Sequence, residues 1–359
     1  MKGGKLIGSG SYGCVFNPPL KCKNSKKNKN KRVKSRYTQK LISKLALKYE
    51  ALDEYEFNSI ILNKLKKDKS YKKKKKHFLF VKDWCLPEKL KRNDELALVK
   101  QCDNMVGKSY KEKKLKDLAL LTMYHGGIDL DKYIIINILN DKKKFINRLV
   151  NLEIDLINNG IDFLHSKNIY HTDIKSLNIL VNENNKNLYL IDWGLTIIDL
   201  PNVNDSIYKG IHFNRPYESL LFNINDNEII KDPELLIDNI LSSYSDKILN
   251  SSIKNDVKIL FNNKLKTKES LSIIKEYLLL ILNSVVDGNR FNRMKLIKHY
   301  YVKQDYWGLI TTLMDIYKYY ELRDSEYEKN FSEIFDYITT NLIINKTVLI
   351  ALFKKLKRE

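Results

Sequence analysis

The stretch that most constrains this 359-residue chain is Tyr170–Leu180, reading Tyr-His-Thr-Asp-Ile-Lys-Ser-Leu-Asn-Ile-Leu, followed by Leu190-Ile191-Asp192-Trp193-Gly194. It puts a carboxylate, an ammonium and an amide into one tight loop. A second carboxylate returns after a hairpin whose turn is Glu183-Asn184-Asn185-Lys186. Asn and Asp are ordinary turn residues, so each piece alone has a plain reading as turn chemistry. Together they are the groups that moving a phosphoryl from ATP requires: a base at the acceptor hydroxyl, positive charge at the phosphoryl oxygens, and hard oxygen ligands for Mg²⁺. Asp173 suits the first role, Lys175 the second at the γ-phosphate, and Asn178 with Asp192 the third.

These residues resemble the eukaryotic-type protein kinases, whose catalytic loop is His-Arg-Asp-x-x-x-x-Asn and whose magnesium site is Asp-Phe-Gly. Here the two appear as His171-Thr172-Asp173 with Asn178, and as Asp192-Trp193-Gly194; Thr replaces Arg and Trp replaces Phe. Small-molecule kinases also carry a His-x-Asp and a later Asn, whereas Lys175, two after the aspartate, resembles the serine/threonine class of protein kinases. The resemblance continues in order along the chain. Ile7-Gly8-Ser9-Gly10-Ser11-Tyr12-Gly13-Cys14-Val15 fits a glycine loop closing over phosphates, with Val15 against the adenine. The same glycines could open a dinucleotide-binding unit, but that requires a helix next, and Val15-Phe16-Asn17-Pro18-Pro19 is strand-like and then broken by prolines.

Lys44, within the apolar run Leu41–Leu45, resembles the third-strand lysine that meets the α/β-phosphates. The helix after it offers Glu54 or Glu56 as its partner, each with apolar neighbours on its face. Leu118–Gly127 reads as a buried strand entering a hinge, with Met123, Tyr124 and His125 at the adenine edge. Asn214–Leu220 loosely resembles the Ala-Pro-Glu that closes the activation segment, and Asp305-Tyr306-Trp307 the Asp-x-Trp of a buried helix.

The resemblance implies an α+β, bilobal, protein-kinase-like fold, with a small β-rich N-lobe over 1–121, a hinge at 122–127 and a larger helical C-lobe over 128–359. A basic insertion falls at 21–40. A helical insertion spans about 222–303, where Leu271, Ile274, Leu278, Ile281 and Leu282 recur at helical spacing. Lys72–Lys76 reads as a solvated loop before a strand at 77–81. The implied cofactors are ATP and Mg²⁺, and the implied substrates are serine or threonine hydroxyls of proteins. A pseudokinase scaffold and a polyanion-binding protein on a kinase frame are the competing readings, the first disfavoured because every group the chemistry needs is present. Pro18-Pro19-Leu20-Lys21-Cys22, the lobe insertions and the composition resemble the divergent kinases of large DNA viruses, which implies a cytoplasmic, host-cell location and leaves the virion open.

The net charge of +21 suggests an acidic partner or nucleic acid at the basic runs. Lys, Asn, Ile and Tyr are abundant together, however, as AT-rich coding would produce without selection for binding, and charge speaks to association rather than fold. The start Met1-Lys2-Gly3-Gly4 lacks a signal-peptide pattern, and no apolar run approaches the roughly 20 residues of a membrane span. Cys14, Cys22, Cys85 and Cys102 show neither a Cys-x-x-Cys pair nor a histidine at zinc-ligand spacing, so neither a metal knuckle nor a disulfide framework is expected, and a reducing compartment fits. Oligomeric state is not legible.

Overall fold

The computed structural model describes residues 4–10, 13–23, 41–89, 102, 115–138, 141–184, 186–200, 214–250, 267–320 and 325–357. The chain divides into two compact units, Met1–Gly127 and Ile128–Glu359.

The first unit is built on a five-stranded antiparallel sheet in the order β1-β2-β3-β5-β4: β1 (Lys5–Gly10), β2 (Gly13–Asn17), β3 (Leu41–Leu47), β4 (Asp83–Cys85) and β5 (Leu118–Tyr124). Side chains alternate between its faces. Phe16, Leu45, Leu47, Leu118 and Leu120 form one core with Leu20, while Ala46, Ala119 and Leu121 form another with Ala51 of helix α1 (Lys48–Lys66). The small alanines let α1 lie close to β3 and β5.

Three expectations are corrected in this unit. The cysteines are paired, Cys14 with Cys102 and Cys22 with Cys85, at Cα–Cα distances of 6.1 and 5.7 Å. Local spacing could not reveal this, because the pairs lie 88 and 63 residues apart and only the tertiary fold brings them together. Lys72–Lys76 is not an irregular loop: α2 (Tyr71–Lys74) and a 3₁₀ turn, Lys75–His77, hold it. The strand expected at 77–81 lies instead at β4, since His77 and Phe78 turn inward to be buried, and the Val81 amide donates to the Asn58 side chain at 3.1 Å rather than to a ladder. Residues 24–40 of the basic insertion lie outside the described residues.

The second unit is mostly helical. β6 (Ile128–Asp129) leads into α3 (Leu130–Asn137), whose first turn is capped by Asp129 accepting from the Lys132 amide at 2.9 Å. α4 (Lys142–Leu156) buries Phe145, Ile146, Leu149, Val150 and Leu156, then runs through a π-helical turn, Ile157–Ile161, into Asp162–His165. β7 (Ile169–Tyr170), β8 (Ile179–Asn182), β9 (Asn187–Leu190) and β10 (Ile197–Ile198) follow; β6, β8 and β9 form one small sheet, and β7 pairs with β10.

Beyond a 3₁₀ turn at Tyr217–Asn223 come α5 (Pro233–Asn250), α6 (Thr267–Val285) and a two-stranded hairpin of β11 (Val286–Asp287) and β12 (Arg290–Phe291). α7 (Arg293–Tyr320), α8 (Ser325–Thr340) and α9 (Lys346–Lys355) complete the unit. α7 begins before residue 303, within the span expected from the sequence to be a helical insertion. One buried polar group ties these parts. Glu218 accepts from the Tyr277 hydroxyl and lies 3.7 Å from the Lys303 ammonium. Burial lowers the Lys303 ammonium from its usual range against the pull of Glu218, and raises the Tyr277 phenol. No helix among the described residues is long and apolar enough to cross a membrane.

Candidate functional site

In the first unit, Gly10 and Gly13 face each other across the β1–β2 turn. Gly13 has φ +151°, and a Cβ there would meet the Leu45 carbonyl oxygen and crowd the Lys44 side chain at 3.2 Å. The stem of Lys44 therefore runs past the glycine turn, where a larger residue would obstruct it. Lys44 pairs with Val15 and Leu121 in register, and its ammonium meets Glu54 Oε2 at 2.7 Å. Of the two glutamates, Glu54 makes this pair, while Glu56 is exposed on α1. The Glu54 backbone carbonyl also accepts from Asn58 Nδ2 at 2.8 Å. Gly8 has space around it, its nearest would-be contact being Val15 at 3.9 Å, and Ile7 is partly exposed. Ser9 contacts Cys14, whose sulfur is buried and bonded to Cys102, so Cys14 can offer the loop only its backbone. Ser11 and Tyr12 lie outside the described residues. Met123 pairs with Ile42, Tyr124 is partly exposed, and His125 Nδ1 accepts from the Gly127 amide at 3.2 Å.

In the second unit the loop between β7 and β8 hangs from α7. Asp305 is fully buried and accepts from the His171 amide at 2.9 Å, the Thr172 amide at 2.7 Å and His165 Nε2 at 2.9 Å. Gln304 adds a bond to the Thr172 carbonyl. Gly308, one turn further on, permits close approach, since a Cβ there would collide with the Ile174 carbonyl oxygen. Thr172 is held at φ +61°, a conformation these bonds enforce on a non-glycine residue. The His171 ring lies 4.9 Å from that of Trp193, and its Nε2 donates to the Ile191 carbonyl at 2.9 Å, joining the loop to the segment carrying Asp192.

Asp173 is thereby presented with its carboxylate held by three donors. Lys175 Nζ and Asn178 Nδ2 each meet Oδ2 at 2.8 Å, and Asn214 Nδ2 meets Oδ1 at 3.0 Å. Asn178 also donates to the Asp173 carbonyl at 2.9 Å, so its amide hydrogens are committed and its Oδ1 is the atom left for a cation. The Ile191 amide donates to the Asn178 carbonyl at 3.1 Å, which sets Asp192 beside this turn; Asp192 itself has φ +63° and is exposed. Two hard oxygens from adjoining segments suit Mg²⁺ that arrives with nucleotide phosphates, because such a site needs only one or two protein oxygens. No cluster of three His, Cys, Asp or Glu side chains suited to a dedicated metal cage occurs among the described residues.

Two residues here are not marked as site residues by the sequence, in which Asn214 stands only as the start of the Ala-Pro-Glu-like stretch and Asp305 only as a landmark of a buried helix. The Asp-x-Trp spacing was the available signal for Asp305; Asn214 had none, because its partner is 41 residues away.

The protein kinase domain family model matches residues 69–205, a span that includes Asp173, Lys175, Asn178 and Asp192. The chain is also similar to a probable serine/threonine-protein kinase of Dictyostelium discoideum, 42% identical over 67 residues, which are 19% of this chain and 11% of that protein. It is 31% identical over 91 residues to serine/threonine-protein kinase KSP1 of Saccharomyces cerevisiae, covering 25% of this chain and 8% of that protein. The chain thus spans about a tenth of the length of these curated relatives. A β-sheet unit followed by a mostly helical one, with the protein kinase match running from the first into the second, fits a bilobal α+β protein-kinase fold. Both of these relatives are named as serine/threonine kinases.

Proposed function

We propose that this chain transfers the γ-phosphoryl group of ATP, with Mg²⁺, to serine or threonine hydroxyls of protein substrates. The observation that carries this reading is the Asp173 carboxylate, fixed by Lys175, Asn178 and Asn214 in a loop suspended from Asp305. A carboxylate so oriented can accept a hydrogen bond from an acceptor hydroxyl and take its proton as the oxygen–phosphorus bond forms and the bond to the departing ADP breaks. Lys175, bonded to Asp173 Oδ2, is assigned to share its charge with the phosphoryl oxygens.

Asn178 Oδ1 and the Asp192 carboxylate are assigned to Mg²⁺, which when bound would neutralise phosphate charge. The backbone of the glycine loop, Ile7–Val15, is assigned to the phosphates, Lys44 oriented by Glu54 to the α/β-phosphates, and the backbone at Met123–His125 to the adenine edge. The Asp173 carboxylate oriented by Lys175 and Asn178 favours this over a scaffold that transfers nothing, since binding ATP alone has no need of a positioned base.

The test is incubation of the purified chain with labelled ATP, Mg²⁺ and a mixture of acidic and basic proteins, followed by phosphoamino-acid analysis. Asp192→Ala should abolish nearly all transfer while leaving the melting temperature unchanged. A parent-like rate in that variant would overturn the magnesium assignment. ATP binding without any transfer by the parent would favour the scaffold.

A further inference from the structure

The two disulfides of the first unit differ in access. Cys14–Cys102 is sealed in the core, with the two residues 0% and 2% exposed among Phe16, Leu45, Leu118 and Leu120. Cys22–Cys85 is only partly buried. Cys22 lies where the chain, having left β2, runs antiparallel to the segment after β4. The Lys23 amide donates to the Leu86 carbonyl at 2.8 Å, the Glu88 amide to the Lys21 carbonyl at 2.8 Å, and Cys22 faces Pro87. The outer bridge therefore fastens the end of the glycine-turn strand to the sheet's β4 edge.

The residues on either side of this outer contact, Lys21 and Lys23 beside Cys22 and Leu86 and Glu88 beside Pro87, are all exposed, and Lys21 lies 4.0 Å from Glu88. A small reductant therefore has a way to the outer bridge that the sealed inner one lacks, and exchange requires such access.

We propose that Cys22–Cys85 is a thiol–disulfide exchange site for a small dithiol, and that its reduction loosens the strand carrying the phosphate turn while Cys14–Cys102 stays closed. A thiolate of the dithiol attacks one sulfur of the bridge, the bond between the two cysteines breaks, and the other cysteine leaves as a thiolate that takes up a proton. The second thiol of the reductant then attacks the reductant's own sulfur in the mixed disulfide, forming a cyclic disulfide and releasing the remaining cysteine as a thiol. Two electrons and two protons pass from the dithiol to the protein. The order of opening follows from access alone. Its effect on ATP rests on the kinase reading: with the tether open, Gly13 and Lys44 are less firmly placed, and the KM for ATP rises while the reaction at Asp173 is unaltered.

The experiment treats the full chain, purified without reductant, with increasing dithiothreitol. Free thiols are blocked with iodoacetamide at each step, and each cysteine is assigned by peptide mass. Cys22 and Cys85 should become labelled at reductant concentrations that leave Cys14 and Cys102 unlabelled, and the melting temperature should fall by roughly 5–10 °C in that first step. The same samples should show a raised KM for ATP, and Cys22→Ser/Cys85→Ser should reproduce that KM before any reductant is added. Four free thiols in the untreated protein, or opening of the inner bridge first or simultaneously, would overturn the proposal. Ordered opening in a chain that transfers no phosphate would sustain the exchange site and refute the kinase reading. Ordered opening with an unchanged KM would refute the link to ATP.

Discussion

Asn214 donates its side-chain amide to Asp173 Oδ1 at 3.0 Å and to the Ile174 carbonyl at 3.3 Å, reaching back across 41 residues to the loop that holds the proposed base. Asn214 is itself buried, so it serves the loop rather than solvent. Its amide donates from the side of the carboxylate opposite Lys175 and Asn178, which fixes the plane of the group. Orientation of that kind affects the chemical step more than nucleotide binding.

Asn214→Ala should therefore lower kcat by roughly tenfold to a hundredfold with little change in the KM for ATP. Asn214→Gln, which keeps the amide but misplaces it, should recover only part of the loss. Equal changes in kcat and KM across both variants would show a disturbed fold instead of a disoriented base.

The catalytic-loop residues were legible because they lie within a few positions of one another and their chemistry is specific to the spacing. Asp173, Lys175 and Asn178 form their bonds within one turn of chain. Lys44 could be located by its apolar strand, but choosing Glu54 over Glu56 required the actual phase of α1 against β3. The disulfides and the Asn214 bond were not legible, because contacts between residues 41 to 88 positions apart depend on where whole strands and loops come to rest. The displaced β4 has a related cause. His77–Val81 is apolar enough for a strand, yet His77, Phe78 and Val81 are turned inward and buried, with Val81 joining the core beneath α1.

Glu153 on α4 is fully buried, with one oxygen accepting from Thr312 Oγ1 on α7 at 2.9 Å and the other without a hydrogen-bond partner among the described residues. Burial pushes its carboxyl up to about 8, against the smaller opposing influence of the Thr312 bond. A folded-state value above the unfolded one means the folded protein holds the proton more tightly. The stability this supplies is complete below the unfolded value near 4.5 and is lost as pH rises toward and through about 8. The melting temperature should fall by roughly 5 °C or more between pH 5 and pH 8.5 through this group. Glu153→Gln, which keeps the shape and cannot ionise, should remove that part of the slope; an identical slope in the variant would place the titration elsewhere.

Lys72, Lys73 and Lys75 are exposed on the short helical turn that follows α1. If this surface recruits acidic proteins or nucleic acid, replacing Lys72–Lys76 by glutamine should weaken that binding and reduce its dependence on salt. Phosphorylation of a short neutral peptide should be unchanged, because the substitutions leave Lys44 and Glu54 in place. The same salt response in parent and variant would assign the lysines to composition alone.

The start of the segment after Asp192 is fastened by contacts that need no phosphate. Thr172 Oγ1 donates to the Leu195 carbonyl at 2.5 Å, Trp193 is buried against His171, β10 pairs with β7, and the Asp199 amide donates to the Asn168 carbonyl at 3.0 Å. In kinases with His-Arg-Asp, the arginine before the aspartate can pair with an added phosphate; Thr172 has no charge to offer one, and its hydroxyl is already committed to Leu195. Thr196 is buried, so a kinase acting on the folded chain could not readily reach it, while Ser206 and Tyr208 lie outside the described residues. The expected outcome is full activity as synthesised. Treatment with a phosphatase, with mass confirming a segment free of phosphate, should leave the rate within about twofold of the untreated protein. Thr172→Val should instead lower the rate by roughly tenfold, because it removes the bond to Leu195 while preserving size. A large loss on dephosphorylation that returns when Ser206 or Tyr208 is rephosphorylated would show that phosphate, not packing, orders the segment.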